Sequence, residues 1–476
     1  MRHSPWSTRV SLRLRAEIRS GNREYRKRYS PYGGGGLVRC RFGLAVLALL
    51  AVPGLSAPIP AAAQAADSAA AARSHYRAAV GALRAGDTVA AVASLGRAAT
   101  AWPAQGFYHA AYARLTAASG QPDSALAALK RLITLGYGWE ESDPVAEALS
   151  KVPAYAGVEA AMHAATAPLR RSAVLRELPD TLLHPEGIAW DGAGKRWLVS
   201  SVRQRKVVAV DARGNARDLV RSGQDGLDAA LAIGVDSARG LVWVASAALP
   251  QMQGWTEADT GRSHLFAFDL ASGRVRRKIR LPPAESGHSV GDLTVTSDGT
   301  VFASDTRAPA IYRVAPGSGD TASTVAANTP MVRSPQGLVL DSERLLVADY
   351  SLGIESVDLA TGAVRTIPAP PGTTVLGIDG LVRLDQRNLI GVQNGVAPAR
   401  IVRLTLSPDG SAITQVTPID RYLPEASEPT QGVIVGSAYV YIANSPWTNY
   451  GNDGSPAAGA AWPAPLLLRL PLGGGR

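Results

Sequence analysis

Two periods of apolar residues divide this chain. From residue 173 onward, apolar positions fall in short alternating runs separated by Gly, Asp, Asn and Pro, the pattern of half-buried strands joined by tight turns. "PEGIAWDGAGKRWLVSS" from 185, "LAIGVDSARGLVWVAS" from 231, "GDLTVTSDGTVFASD" from 291, "PQGLVLDSERLLVADY" from 335, "IDGLVRLDQRNLIGVQ" from 378 and "TQGVIVGSAYVYIAN" from 430 are versions of one unit. Each has an apolar inner strand, a turn and a second strand, and most run on into a third, as in "HLFAFDLASGRV". Six such units in about 300 residues predict an all-β, six-bladed β-propeller over residues 172–476. The last unit offers only "GVIV", "AYVYIAN" and "PLLLRLPL", so "SAVLREL" (172–178) is expected to supply its outer strand and remove the open edge.

Before that boundary the period changes to the helical one. Residues 66–168 are Ala-rich, and 76–103 superpose on 111–137 at an offset of 34: Gly86 on Gly120, Ala79 on Ala113, Ala91 on Ala125, Leu95 on Leu129. Glycine at the inter-helix turn and small residues where helices cross, at this period, resemble the tetratricopeptide repeat. The resemblance implies a small all-α module, capped by a degenerate unit at 142–162, that docks a protein partner or packs against the next domain.

Charge alters the picture only at the N-terminus. The formal net charge is +10, but residues 1–42 hold eleven Lys and Arg against Glu17 and Glu24, which leaves +1 for residues 43–476. A nearly neutral body gives no electrostatic case for nucleic acid. The basic stretch leads into "FGLAVLALLAVPGLSAPIPAAAQAADS", which reads as a secretory signal over residues 1–65, with cleavage near "AQA" at 63–65. A start further in, for example at Val38, would shorten the charged region. A membrane anchor is the alternative, yet the apolar run falls short of the roughly 20 residues a span needs. The expectation is a periplasmic or secreted protein with no stable membrane span after cleavage. Cys40, the only cysteine, precedes the apolar run and would leave with the signal.

In a four-stranded meander the residues just before each inner strand ring one mouth of the central channel. Aligned there, the six units give Glu186, Leu231, Gly291, Gln336, Asp379 and Gln431, and after the second strands come Asp305, Asp349, Asn394 and Asn444. Carboxylates and carboxamides converging on one axis form an oxygen-rich set suited to a hard divalent ion. For Glu186 the plainer alternative is a loop carboxylate held by backbone N–H groups.

These motifs, "PEG" in the first unit, "PQG" in the fourth and "DG" in the fifth, resemble the senescence marker protein-30, gluconolactonase and luciferin-regenerating enzyme family of six-bladed propellers. The resemblance covers about residues 176–476. It implies a divalent metal (Ca, Zn or Mn) held by Glu186 and Asp379, with Gln336 where the family carries a ligating Asn. Asp379 would also be the catalytic base. Asp292, Gln431, Asp349, Asn394, Asn444 and Trp447 are the candidate substrate-binding residues, Gly291 standing where the family has a side chain. A bound metal would polarise a lactone or ester carbonyl and activate water.

Two insertions project on the same mouth, "ALPQMQGWTEADTGRSH" and "SPWTNYGNDGSPAAGAAWPAP". Trp255, Trp447, Tyr450 and Trp462 on them are candidates for an aromatic lid over a small-molecule ligand, and His184 and His288 lie close by. The sequence contains no HExxH, GxSxG, Walker A or Cys-cluster motif. Two readings stay open: a metal-dependent hydrolase of lactones or related esters, and a non-catalytic propeller that binds a ligand or protein.

Overall fold

A computed structural model describes residues 61–473, so the basic leader and the apolar stretch up to residue 60 lie outside the described residues. Helices α1 (Ala61–Ala85) and α2 (Thr88–Ala101) form one antiparallel hairpin, and α3 (Gly106–Ala118) and α4 (Pro122–Leu135) a second. Their turns place Gly86 and Gly120 at φ 83° and 71°, the left-handed region that a side chain resists. Asp87 caps α2 by accepting from the Ala90 N–H at 2.9 Å, while α4 starts on Pro122 and stops at left-handed Gly136. Two shorter helices, α5 (Pro144–Leu149) and α6 (Tyr155–Thr166), complete the module. No helix among the described residues is long and apolar enough to cross a membrane.

The remainder is the expected six-bladed propeller. Its sheets are six four-stranded antiparallel meanders, and their inner strands touch around a closed ring. The inner strands are β2 (Pro185–Asp191), β6 (Ala229–Asp236), β10 (Val290–Val295), β14 (Pro335–Asp341), β18 (Ile378–Arg383) and β22 (Gly432–Val435). The last blade closes as the sequence suggests: β1 (Ala173–Glu177) pairs antiparallel with β24 (Leu466–Pro471), Ala173 opposite Arg469 and Glu177 opposite Leu466. A strand from the start of the domain thereby covers an edge that would otherwise expose its N–H and C=O groups.

The helical module is seated on blades 4 and 5. Leu352 and Leu376, from loops at the channel mouth, share one apolar cluster with Ala72, Ala98, Trp102 and Tyr108. Backbone bonds extend the seam: Gly138 N–H donates to Ala397 O at 2.7 Å, and Leu169 and Arg421 exchange N–H···O bonds of 3.0 Å. Arg400, buried beneath it, donates to Gln393 Oε1 at 2.6 Å and to the Leu135 carbonyl. Burying each leucine here contributes about 1.5–3 kcal/mol, so the module forms part of the wall beside the mouth.

Blades 1 to 5 each carry a register shift at the start of the inner strand, as between Pro185 and Ile188, Pro335 and Leu338, and Ile378 and Leu381. Such a bulge sets two residues against one and re-aims a side chain, and Glu186, Gln336 and Asp379 each lie inside one of these shifts. The glycine that follows has its own cause. A Cβ on Gly187 would strike the Leu231 carbonyl, and one on Gly337 the Leu381 N–H and the Asp379 carbonyl of the next blade. Because backbone cannot yield as a flexible side chain would, Gly337→Ala is expected to cost about 3 kcal/mol in urea unfolding. A loss below about 0.5 kcal/mol would show the blades to be looser than this contact implies.

Candidate functional site

Four acids gather at the mouth formed by the starts of the inner strands. Glu186 is 4% exposed and its Oε2 accepts from the Trp447 indole N–H at 2.6 Å. Its backbone is tied to blade 6: Thr430 Oγ1 donates to the Glu186 carbonyl, and Ser445 Oγ to that of Pro185. The plainer alternative for Glu186, a carboxylate held by backbone N–H groups, is not what the structure shows. Asp379 keeps partial solvent access, and its Oδ2 accepts from Asn394 Nδ2 at 2.8 Å. Asn394 is itself held, donating also to Pro429 O and accepting from the Tyr350 hydroxyl, so it positions Asp379.

Alignment of the six units puts Gly291 in the ring, and the structure fills that blade's place with its neighbour. Asp292 is buried and accepts from Gln431 Nε2 at 2.5 Å. Blade 3 faces blade 6 in a ring of six, so this bond spans the channel axis. Gln336, 3% exposed, has no hydrogen-bond partner for its carboxamide among the described residues.

The fourth acid, Glu428, is not marked by the repeat, because it precedes the ring position, three residues before Gln431. Burial pushes its carboxyl up to about 8, against the pull of Thr448 and with a push from Asp379. Burial and then Asp379 hold Glu186 well above the usual carboxylate range, with Trp447 drawing it back. Asp292 is held well above it by the same two causes, and burial raises Asp379 to about 6 while Asn394 lowers it. Among the described residues no basic group offsets any of the four. Two ionised carboxylates at ~4 Å repel by about 4 kcal/mol at an effective dielectric of ~20, so such a group either retains protons or takes up a cation.

Among the described residues no three His, Cys, Asp or Glu side chains converge as a ready metal cage. The mixed set of carboxylate oxygens from Glu186 and Asp379 with the unpartnered Gln336 carboxamide nevertheless fits a hard divalent cation in donor type, and it lacks any competing positive charge.

The other expected residues have different neighbours. Asp349 spends both oxygens on backbone, accepting from the N–H groups of Arg333, Ser334, Ser351 and Leu352. Asn444 donates to Ala464 O and accepts from Leu466 N–H, which pins the base of the blade-6 insertion. Trp447 lies under that insertion with its indole N–H on Glu186, and Tyr450 meets Trp462 edge-on at 5.0 Å. Trp255 packs against the same apolar cluster as Trp447, so the aromatic residues form a packed wall. His184 is fully buried rather than solvated: it stacks on Tyr450 at 5.1 Å, meets Trp447 at 4.4 Å, and neither ring nitrogen has a partner among the described residues. Burial, aided by Arg203, lowers it to about 3, so it is neutral.

Fold and site together define a six-bladed β-propeller with an acid-lined channel mouth and a helical module at its rim. No family model matches the chain, and no curated protein matches it. Among solved structures it is similar to a gluconolactonase from Xanthomonas campestris, with 18% identity and a TM-score of 0.43, covering 64% of this chain and 91% of that one. It is also similar to a calcium-binding protein, regucalcin, from Agrobacterium tumefaciens, with 18% identity and a TM-score of 0.41, covering 64% and 94%. A third is virginiamycin B lyase from Staphylococcus aureus, with 14% identity and a TM-score of 0.40, covering 57% and 80%.

Proposed function

We propose that the chain is a hydrolase of lactones or related esters that works with a divalent cation held by Glu186, Gln336 and Asp379. The observation that carries this reading is a set of buried and half-buried, mutually repelling carboxylates at one channel mouth, without a basic partner among the described residues, and an unpartnered carboxamide at the same ring position of blade 4. When bound, the cation supplies Lewis acidity toward a carbonyl oxygen and toward water. The chain's own residues do the rest. Trp447 fixes Glu186, Asn394 turns Asp379 toward the mouth as proton acceptor, and the Asp292–Gln431 pair presents polar edges to the ligand's hydroxyl groups. The packed aromatic wall excludes bulk water from that side, and export through the leader at residues 1–65 places the activity in the periplasm or outside the cell.

Purified protein is expected to hydrolyse δ-valerolactone or p-nitrophenyl acetate. Chelation should lower the rate at least about 100-fold, and one of Ca, Zn or Mn should restore it. Equal rates before and after chelation would remove the cation from the reading, and no turnover of either compound would remove the hydrolase. The second reading is non-catalytic binding, with the tetratricopeptide-like module as a further docking surface for a protein. It is favoured by the Gln431–Asp292 bond across the axis, and retained ligand binding without turnover would support it.

A further inference from the structure

Three arginines meet without a counterion where the helical module joins blade 4. Arg73 and Arg77 stand about one turn apart on one face of α1, and Arg333 comes from the loop that leads into β14. Ala72, beside Arg73, shares an apolar cluster with Tyr108 of α3 and with Leu352, the loop residue whose N–H donates to Asp349. Arg333 is anchored on the same carboxylate, its backbone N–H donating to Asp349 Oδ2 at 2.7 Å. The half-buried Arg73 guanidinium feels these neighbours: burial, then Arg333 and Arg77, lower it from its usual value, while Tyr108 and Asp349 draw it back.

Among the described residues no hydrogen bond or ion pair holds the side chain of Arg73, Arg77 or Arg333. Asp349, the acid that acts on Arg73, spends both oxygens on backbone N–H groups. Elsewhere along this seam guanidinium groups are tied: Arg400 to Gln393 and the Leu135 carbonyl, Arg421 to the Ala167 carbonyl, and Arg170 to Glu425. Tyr108 supplies a second, independent observation. It is 6% exposed and its ring packs against Tyr76 at 5.8 Å and Phe107 at 5.6 Å, yet its hydroxyl has no partner among the described residues and is not sealed from solvent. Burial pushes the phenol up to about 12, with Arg73 and Arg77 pulling it down, so at neutral pH it is an O–H donor beside two guanidinium groups.

Donors dominate this spot. A guanidinium presents its N–H groups as a planar fork that matches the oxygens of a carboxylate or phosphate, and a half-buried cation flanked by two others is unfavourable until an anion offsets it. The groups come from two helices and a propeller loop, on a body whose residues 43–476 carry a net charge of only +1, which favours a compact oxyanion over a polyanionic surface. We propose that Arg73, Arg77, Arg333 and the Tyr108 hydroxyl form a binding site for a small-molecule oxyanion, a phosphate or carboxylate group, at the seam between the helical module and blade 4. The site draws on none of the channel-mouth acids. It therefore does not depend on the hydrolase reading.

Calorimetric titration of the full chain with inorganic phosphate, and separately with citrate, in a low-chloride buffer is expected to show saturable single-site binding. Tighter binding of phosphate assigns a phosphate group to the site, and tighter binding of citrate a carboxylate. Arg73→Gln and Arg333→Gln should each weaken the preferred anion at least about tenfold, and Tyr108→Phe about threefold or more. Arg213→Gln, on an exposed turn of blade 1, should leave it unchanged. Arg333→Gln alters an exposed side chain, so its melting temperature in phosphate-free buffer should equal that of the unmutated protein while the rise that phosphate brings is reduced. Absence of saturable binding of either anion, or equal affinity in every variant, would overturn the proposal. An equal loss in Arg213→Gln would overturn it too, because the attraction would then be one of diffuse charge.

Discussion

Asp379→Asn is expected to reduce lactone hydrolysis by about 10²–10⁴-fold, abolish tight cation binding, and make the cation-free protein more stable. The three effects have one origin. Asp379 acts on Glu186, Asp292 and Glu428, so neutralising it relieves repulsion at all three while deleting a cation ligand and a proton acceptor. Its folded-state pKa of about 6 lies above the unfolded value of 3.8. A raised acid leaves stability intact below the unfolded pKa and removes it progressively as pH rises through the folded one. Two pKa units at about 1.4 kcal/mol each put the part of the gain at pH 7 that comes from Asp379's own burial at no more than about 3 kcal/mol. The Asn394 bond survives, because the Asn oxygen still accepts it. Urea unfolding in chelator, with cation content measured on Glu186→Gln alongside, checks all three effects. A variant that loses activity and stability together would make Asp379 structural, and equally low cation content in all proteins would end the cation hypothesis.

Glu355→Gln is expected to stabilise the protein by about 3 kcal/mol at pH 7 and by almost nothing near pH 4.5. Glu355 lies in β16 (Gly353–Asp358), 1% exposed; its Oε1 accepts from Thr366, and its Oε2 has no partner among the described residues. Burial, and then Asp349, push its carboxyl up to about 9. Below its unfolded pKa of 4.5 both states are protonated and the group costs nothing. Between there and about 9 the unfolded chain ionises while the folded one holds its proton, so wild-type stability falls by about 1.4 kcal/mol per pH unit from this residue alone. Gln keeps the acceptor for Thr366 and never ionises. A difference between the two proteins that stays constant from pH 4.5 to 8 would refute the assignment.

Glu186 is legible in the sequence because six repeated units share one geometry, and the position at the start of each inner strand recurs in all of them. The same alignment fails at blade 3, where it selects Gly291 while the fold places Asp292 beside Gln431. A bulge shifts which residue points inward, and its length cannot be read from a single unit. Asp349 and Asn444 are legible as polar residues at the mouth but not as backbone staples, since their partners depend on how the loops close. His184 looks like a loop residue because it stands immediately before Pro185 at the start of a strand, while its neighbours in space, Trp447 and Tyr450, come from the far end of the chain.

By itself, the sequence determined the two periodicities, the six blades, the return of the first strand to the last sheet and the set of oxygen-bearing ring positions. All of these follow from local alternation repeated at a regular interval. Only the tertiary structure decided which carboxylates share one electrostatic environment, that Glu428 joins them, that His288 is held by Asp305, and that the helical module forms part of the mouth's wall. Each depends on distances between segments far apart in the chain, and low-dielectric burial makes those distances count. Periodicity states which side of a strand faces inward; it does not state what else is waiting there.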